Sequence, residues 1–233
     1  MEPVLLYGVP QGCSFGSIVA LEWLGEPYRL CRIAMPEGMQ GALYARINPV
    51  RETPVLVLPD GTALAESAAI LGHVGARGLA RGLGFPQGTP EHDRLNRMLS
   101  FLTTTFFASF SPLWRAYEMA ANPPVQDVLR QVGREDVARA HANLEAILGE
   151  GPWLLGAART VADAYLAGVA RWAVYHRAVD QAAYPRLSRL LRMLDADPAV
   201  RFAHAIEAGE PARGSGAFRG HVALEALEPR LAA

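Results

Sequence analysis

The stretch Glu52-Thr53-Pro54-Val55-Leu56-Val57-Leu58-Pro59-Asp60-Gly61-Thr62-Ala63-Leu64-Ala65-Glu66-Ser67 organises the reading of this chain. Val55 to Leu58 is a short apolar run with a β-branched bias, Pro59-Asp60-Gly61 is a turn signal, and Thr62 to Leu64 is a second brief strand. Together they read as a β-hairpin. Pro54 has no N–H to give to a ladder, which suits the mouth of the first strand and not its middle. A cis Thr53–Pro54 bond, which costs an X–Pro pair only about 0.5–1 kcal/mol, would turn the N–H and C=O of Thr53 outward to meet an extended peptide. Glu66 and Ser67 open the next helix, where free N–H groups gather and a carboxylate is welcome. Hairpin and helix start describe a seat for a small peptide-like anion.

Before this stretch, Val4 to Tyr7 reads as a buried strand, Phe15 to Leu24 as a helix ended by Gly25, and Tyr28 to Ile33 as a second strand. A βαβ opening makes those two strands parallel. Gln40 to Arg46 reads as a short helix, and Ser67 to Val74 as the helix after the hairpin. From Gly75 to Pro90, five glycines and two prolines interrupt the apolar periodicity, which marks a linker. The chain divides as residues 1–76, a linker 77–90, a second domain 91–208 and a tail 209–233. In the second domain no strand is convincing. Leu95 to Met119 is helical in spacing, with Pro112 expected to kink or interrupt it. Further helices are expected from Pro124 to about Leu148, from Thr160 to near Tyr175, over Pro185–Leu194 and over Pro198–Ala208. Thr160-Val161-Ala162-Asp163 is a capping box. The tail, rich in Gly, Pro and Arg, is expected to be loosely packed or partly disordered.

Composition sets limits. Net charge is −1, apolar content is 51%, and all 22 cationic Lys+Arg positions are arginine, scattered among 23 acids. That profile suits a soluble globular protein and offers no basic face for nucleic acid and no run long enough to cross a bilayer. Two cysteines and no signal-peptide pattern point to the cytoplasm. No His/Cys/Asp cluster has metal-ligand spacing.

The reactive group is expected to be Cys13, which follows the first strand and opens the first helix. Helix-start N–H groups there can pull a thiol from about 8.5 down to about 3.5–7.5. Ser14 and Tyr7 are the competing hydroxyls, since one aimed donor is enough to stabilise a thiolate. Cys31, in mid-strand, reads as core. His73 reads as packed on its helix, and His141 and His176 as lying on helix surfaces.

Thr53-Pro54, Glu66-Ser67, the order βαβ then ββα, and the wording Thr160-Val-Ala-Asp-Ala-Tyr-Leu166 resemble the glutathione transferase family, over about Leu5 to Leu194. Pro10-Gln-Gly-Cys-Ser14 resembles the catalytic segment of its bacterial beta class. The resemblance implies a thioredoxin-like N-terminal domain followed by an all-helical one. It implies that glutathione is the co-substrate, held by Thr53, Pro54, Glu66 and Ser67. The sequence departs from the class where Phe107-Ala108 stands in place of a His-Lys pair, and where Glu52 replaces Gln or Lys. Phe107, Phe110 and Trp114 are expected to line an apolar wall for a hydrophobic electrophile, with Phe106 and Tyr117 nearby.

The expected activity is transfer of glutathione to that electrophile. Two alternatives stay open: thiol–disulfide exchange through Cys13, and a binding module without catalysis. The resemblance also implies a homodimer. A physical motive is that Leu95, Met98, Leu99, Phe101 and Leu102 carry more apolar surface than one core-facing stripe buries.

Overall fold

In the computed structural model, which describes residues 1–231, five strands run in the order β4-β3-β1-β2-β5. They are β1 (Val4–Val9), β2 (Tyr28–Ala34), β3 (Val55–Val57), β4 (Ala63–Ala65) and β5 (Phe218–His221). β1 lies parallel to β2, with Leu6 opposite Cys31, and antiparallel to β3, with Leu6 opposite Val55. Period-two alternation gives β1 two buried faces. Leu5 and Tyr7 point to the helical side of the sheet. Val4 and Leu6 join Cys31, Ile33, Tyr44, Ile47, Val55 and Val57 on the other.

The helix α1 (Phe15–Leu24) is buried along all ten residues, which explains why all but Ser17 and Glu22 are apolar or glycine. It is enclosed by the sheet, by α3 (Ser67–Arg77) and by two later helices, α7 (Val161–Tyr175) and α9 (Pro198–Ala208). Contact with α7 is made backbone to backbone at Gly16. A Cβ placed there would lie 2.6 Å from the Ala164 carbonyl oxygen and 2.9 Å from the Tyr165 Cα. The α2 helix (Ala42–Ile47) covers the far face of the sheet.

The remaining helices are α4 (Pro90–Phe101), α5 (Ser111–Glu118), α6 (Pro123–Ile147) and α8 (Pro185–Ala196). The expected long helix from Leu95 breaks earlier than its proline. A π-helical segment, Leu102–Phe107, and a 3-10 turn, Ala108–Phe110, precede α5, in whose first turn Pro112 sits without kinking anything. Thr103 and Thr104 return their hydroxyls to the carbonyls of Leu99 and Ser100, a competition that widens a helix locally. Thr160 caps α7, and the Asp163 carboxylate accepts from the N–H groups of Thr160 (2.8 Å) and Leu154 (2.9 Å).

Three expectations need correction. Leu95, Met98, Leu99 and Leu102 are at most 6% exposed within the single chain and Phe101 is half-buried, so most of the apolar surplus argued for a dimer is already spent on the core. His141 is buried at 1% exposure against Phe106 and Tyr184, because it lies on the inward stripe of α6, and His176, the C-cap of α7, is half-buried against Trp114. Over its described residues, 209–231, the tail is ordered structure. β5 pairs in parallel with β2, Phe218 packs on Tyr28 and Phe202, and Leu227 is fully buried in the far-side core. The buried carboxylate of Glu22 accepts from the Tyr28 hydroxyl at 2.6 Å and from the Ser215 N–H, tying the tail to α1.

Candidate functional site

A cavity of about 540 Å³ opens between the carboxyl-terminal side of the sheet and the helical half. It is lined by Cys13, Asn48, Glu52, Thr53, Pro54, Glu66, Ser67, Ala68, Thr103, Phe107 and Tyr165. The turn before α1 delivers Cys13, the mouth of β3 delivers Thr53-Pro54, and the start of α3 delivers Glu66-Ser67. The Thr53–Pro54 bond is cis. Neither the N–H nor the C=O of Thr53 is hydrogen-bonded among the described residues, while its hydroxyl turns to the Met35 sulfur at 3.4 Å. The backbone just before is held in place: the Glu52 carbonyl accepts from the Tyr44 hydroxyl at 2.7 Å and from the Asn48 amide at 2.9 Å. Glu66 has φ +71°, a conformation few residues other than glycine adopt, and such strain concentrates at ligand sites. It sets the Glu66 carboxyl at the rim and the Ser67 hydroxyl 3.5 Å from the Cys13 carbonyl oxygen. A strand mouth with free backbone groups, an exposed carboxylate and a helix start suit a short peptide carrying both an amine and a carboxylate.

Cys13 lies in the turn two residues before α1, half-buried. Its thiol is not lowered as the helix-start placement predicts. Burial pushes it up to about 11, and the negative charge of Glu52 adds to that. The nearest opposing cation, Arg171, is itself neutralised by Glu207. Cys13 therefore sits at the site as a thiol.

The other two candidates for sulfur activation lie elsewhere. Ser14 is fully buried, and its Oγ accepts from the Gly8 N–H at 3.0 Å, closing the turn after β1. Tyr7 is also fully buried. Its hydroxyl meets His221 Nε2 at 3.0 Å and receives Arg32 at 3.4 Å, beneath the tail. Of the three aromatics expected to wall the site, Phe107 does so, from the π-helical segment. Phe110 is a core residue among Phe106, Trp172 and His141, and Trp114 stacks on Tyr175 and meets His176 edge to face, away from the cavity. The interruption after Phe101 shifts the following aromatics around the helix axis, a rotation no regular helical count gives.

Two groups were not singled out from sequence. Arg171 of α7 donates to the Gly12 carbonyl (2.9 Å), the Gln11 side-chain oxygen (3.1 Å), the Gly168 carbonyl (2.8 Å) and both carboxylate oxygens of Glu207 (2.7 and 2.9 Å). It thereby holds the turn that carries Cys13. Its signal in the sequence was a lone cation on an otherwise apolar helix. The second is Tyr165, from the same helix, on the cavity wall.

Comparison with known proteins agrees with this geometry. The family profile described as the N-terminal domain of glutathione S-transferase matches residues 13–77. A glutathione transferase of Methylococcus capsulatus superposes with a TM-score of 0.75 at 31% identity. A sphingomonad glutathione S-transferase solved with glutathione gives 0.77 at 29%, and a beta-class enzyme of Sphingomonas chungbukensis gives 0.76 at 26%. Each alignment covers 88% of this chain and 98% of the other. This chain belongs to the glutathione transferase family.

Proposed function

We propose that this protein joins the sulfur of glutathione to an apolar electrophile. Thr53 pairs through its backbone with the cysteinyl unit of glutathione. Glu66 takes the α-amino group, and Ser67 with the start of α3 takes the γ-glutamyl carboxylate. The glutathione thiol gives its proton to water, the sulfur electron pair forms a bond to the electrophilic carbon, and the leaving group departs as an anion. Phe107 offers the apolar contact for the acceptor, a role suited to clearing reactive hydrophobic compounds. The observation that carries this reading is the shared cavity. Cys13, Thr53, Glu66 and Ser67 reach it from one half of the chain, and Phe107 reaches it from the other. Phe110, Trp114, Ser14 and Tyr7 have no part in it, and no metal is required.

The test is calorimetric titration with glutathione, followed by conjugation of a chlorodinitrobenzene. Wild type should bind and turn over, and Glu66→Ala with Ser67→Ala should weaken binding at least about tenfold, the loss of one charge-assisted bond. No binding at millimolar glutathione would sink the proposal. Mass measurement after oxidised glutathione separates the exchange route, because a protein whose Cys13 stays a thiol at neutral pH should remain largely unmodified. The reading includes a cytoplasmic two-fold homodimer, as the family resemblance implies. Light scattering should give about twice the chain mass of 25.1 kDa, and the single mass would refute it.

A further inference from the structure

With Tyr7 and Ser14 tied up elsewhere and Cys13 neutral, the cavity still needs a donor for a developing thiolate. Four residues line it with a side-chain hydroxyl. Thr53 spends its hydroxyl on the Met35 sulfur and Thr103 on the carbonyls of Leu99 and Ser100, while Ser67, 3.5 Å from the Cys13 carbonyl, is the group assigned to the γ-glutamyl carboxylate. The fourth is Tyr165. It is only 3% exposed, its hydroxyl makes no hydrogen bond among the described residues, and its oxygen is not among the buried atoms cut off from solvent. The residue is enclosed, its oxygen keeps some contact with solvent, and it lines the cavity.

We propose that Tyr165 is a further catalytic residue, its hydroxyl donating a hydrogen bond to the sulfur of bound glutathione. This rests on the glutathione reading of the cavity. Three observations of the fold support it. The close approach of α1 and α7 at Gly16 puts the Tyr165 Cα beside the turn of Cys13, where sulfur chemistry is expected. The capping box fixes the start of α7 four residues before Tyr165, so the side chain comes from a rigid element. Burial raises the phenol above its ordinary value, and the negative charge of Glu66 acts the same way, so it keeps its proton. It is therefore a donor throughout and never the base. The glutathione proton leaves to water, the sulfur carries the charge, and Tyr165 holds that charge until the carbon–sulfur bond forms. An aimed donor to a developing charge in an enclosed site is worth on the order of a hundredfold in rate.

The test compares wild type with Tyr165→Phe, which keeps the ring and removes one oxygen, each also in a Cys13→Ala background. Glutathione affinity is read by calorimetry, kcat and KM with a chlorodinitrobenzene, and ionisation of the bound thiol by the thiolate ultraviolet band against pH. Tyr165→Phe should lower kcat roughly 10- to 100-fold, leave glutathione affinity at neutral pH within about threefold, and raise the apparent pKa of the bound thiol by about one unit or more. The same loss should appear in Cys13→Ala, because the donor acts on the substrate sulfur. An unchanged thiol titration with unchanged kcat in a variant that still binds glutathione would overturn the proposal while leaving the proposed function intact. A loss that vanishes in Cys13→Ala would overturn it too, by transferring the hydrogen bond to Cys13. Wild type failing to bind glutathione would remove both.

Discussion

Replacing Arg171 by methionine should cost this protein more than any surface arginine would. Arg171 and Glu207 are only 13% and 11% exposed, and the guanidinium meets both carboxylate oxygens in a two-bond fork. Methionine preserves most of the volume and the contact with the Phe15 ring, over which the guanidinium sits at 4.4 Å. What it removes is the charge that compensates Glu207. Leaving one partner of such a pair buried alone costs about 3–5 kcal/mol, whereas the lost bonds to Gly12, Gln11 and Gly168 are to acceptors that water can partly replace, at about 1 kcal/mol each or less. Glu207 therefore dominates the loss. Arg171→Met paired with Glu207→Leu should recover most of it, because the uncompensated charge is gone as well. Arg77→Ala is the control: its partner Glu26 sits at the surface, with side chains 53% and 41% exposed, and its loss should cost no more than about 1 kcal/mol. Urea denaturation at one fixed protein concentration measures all four variants, and the double-mutant cycle isolates the coupling. A cost below about 1 kcal/mol for Arg171→Met, equal to that of Arg77→Ala, would refute the reasoning.

Further outcomes follow from the same geometry. Alkylation of Cys13 by iodoacetamide at pH 7 should be at least on the order of tenfold slower than that of a free cysteine and should climb with pH toward about 11. Glu52→Gln should move that profile to lower pH, because it removes a negative neighbour, and a profile centred below 8 in wild type would contradict the burial argument. Asp163→Ala strips two buried N–H groups of their acceptor, at about 1–3 kcal/mol each, and Asp163→Asn should recover part of the loss in thermal unfolding. Gly16→Ala drives a methyl into the α7 backbone and should cost about 1–3 kcal/mol; a neutral result in denaturant titration would show that the two helices can part freely. Leu227→Ala should cost about 2–5 kcal/mol if the tail unfolds together with the sheet, as the buried position of Leu227 requires.

The elements that announce themselves in the sequence are those whose signals are local. Pro59-Asp60-Gly61 marks a turn whatever surrounds it, and β3 and β4 lie on either side of it. Thr160 and Asp163 sit three apart and satisfy each other within one turn of helix. The failures involve depth and distant partners. Tyr7 and Cys13 are near in sequence, but the Tyr7 side chain extends from the strand toward Arg32 and His221, and His221 is 214 residues away. Ser14 has the right chemistry and is one residue from Cys13, yet the turn spends its oxygen on the Gly8 N–H. β5 has a single strong β-former, Phe218, followed by Arg-Gly-His, and exists because β2 offers it a partner; Arg29 reaches across to the Arg219 carbonyl at 2.9 Å. Tyr165 was legible only as a letter in a capped-helix phrase, since its exposure to the cavity depends on how α7 crosses α1.

The tail has a consequence beyond its own packing. Without β5, the outer side of β2 would present a row of unpaired N–H and C=O groups, a template on which an extended segment of any other chain could add itself. Here that position is already taken by β5, with the Val222 N–H bonded to the Leu30 carbonyl at 2.9 Å and Leu227 anchored in the core beyond. The protein thus supplies its own inhibitor of strand addition.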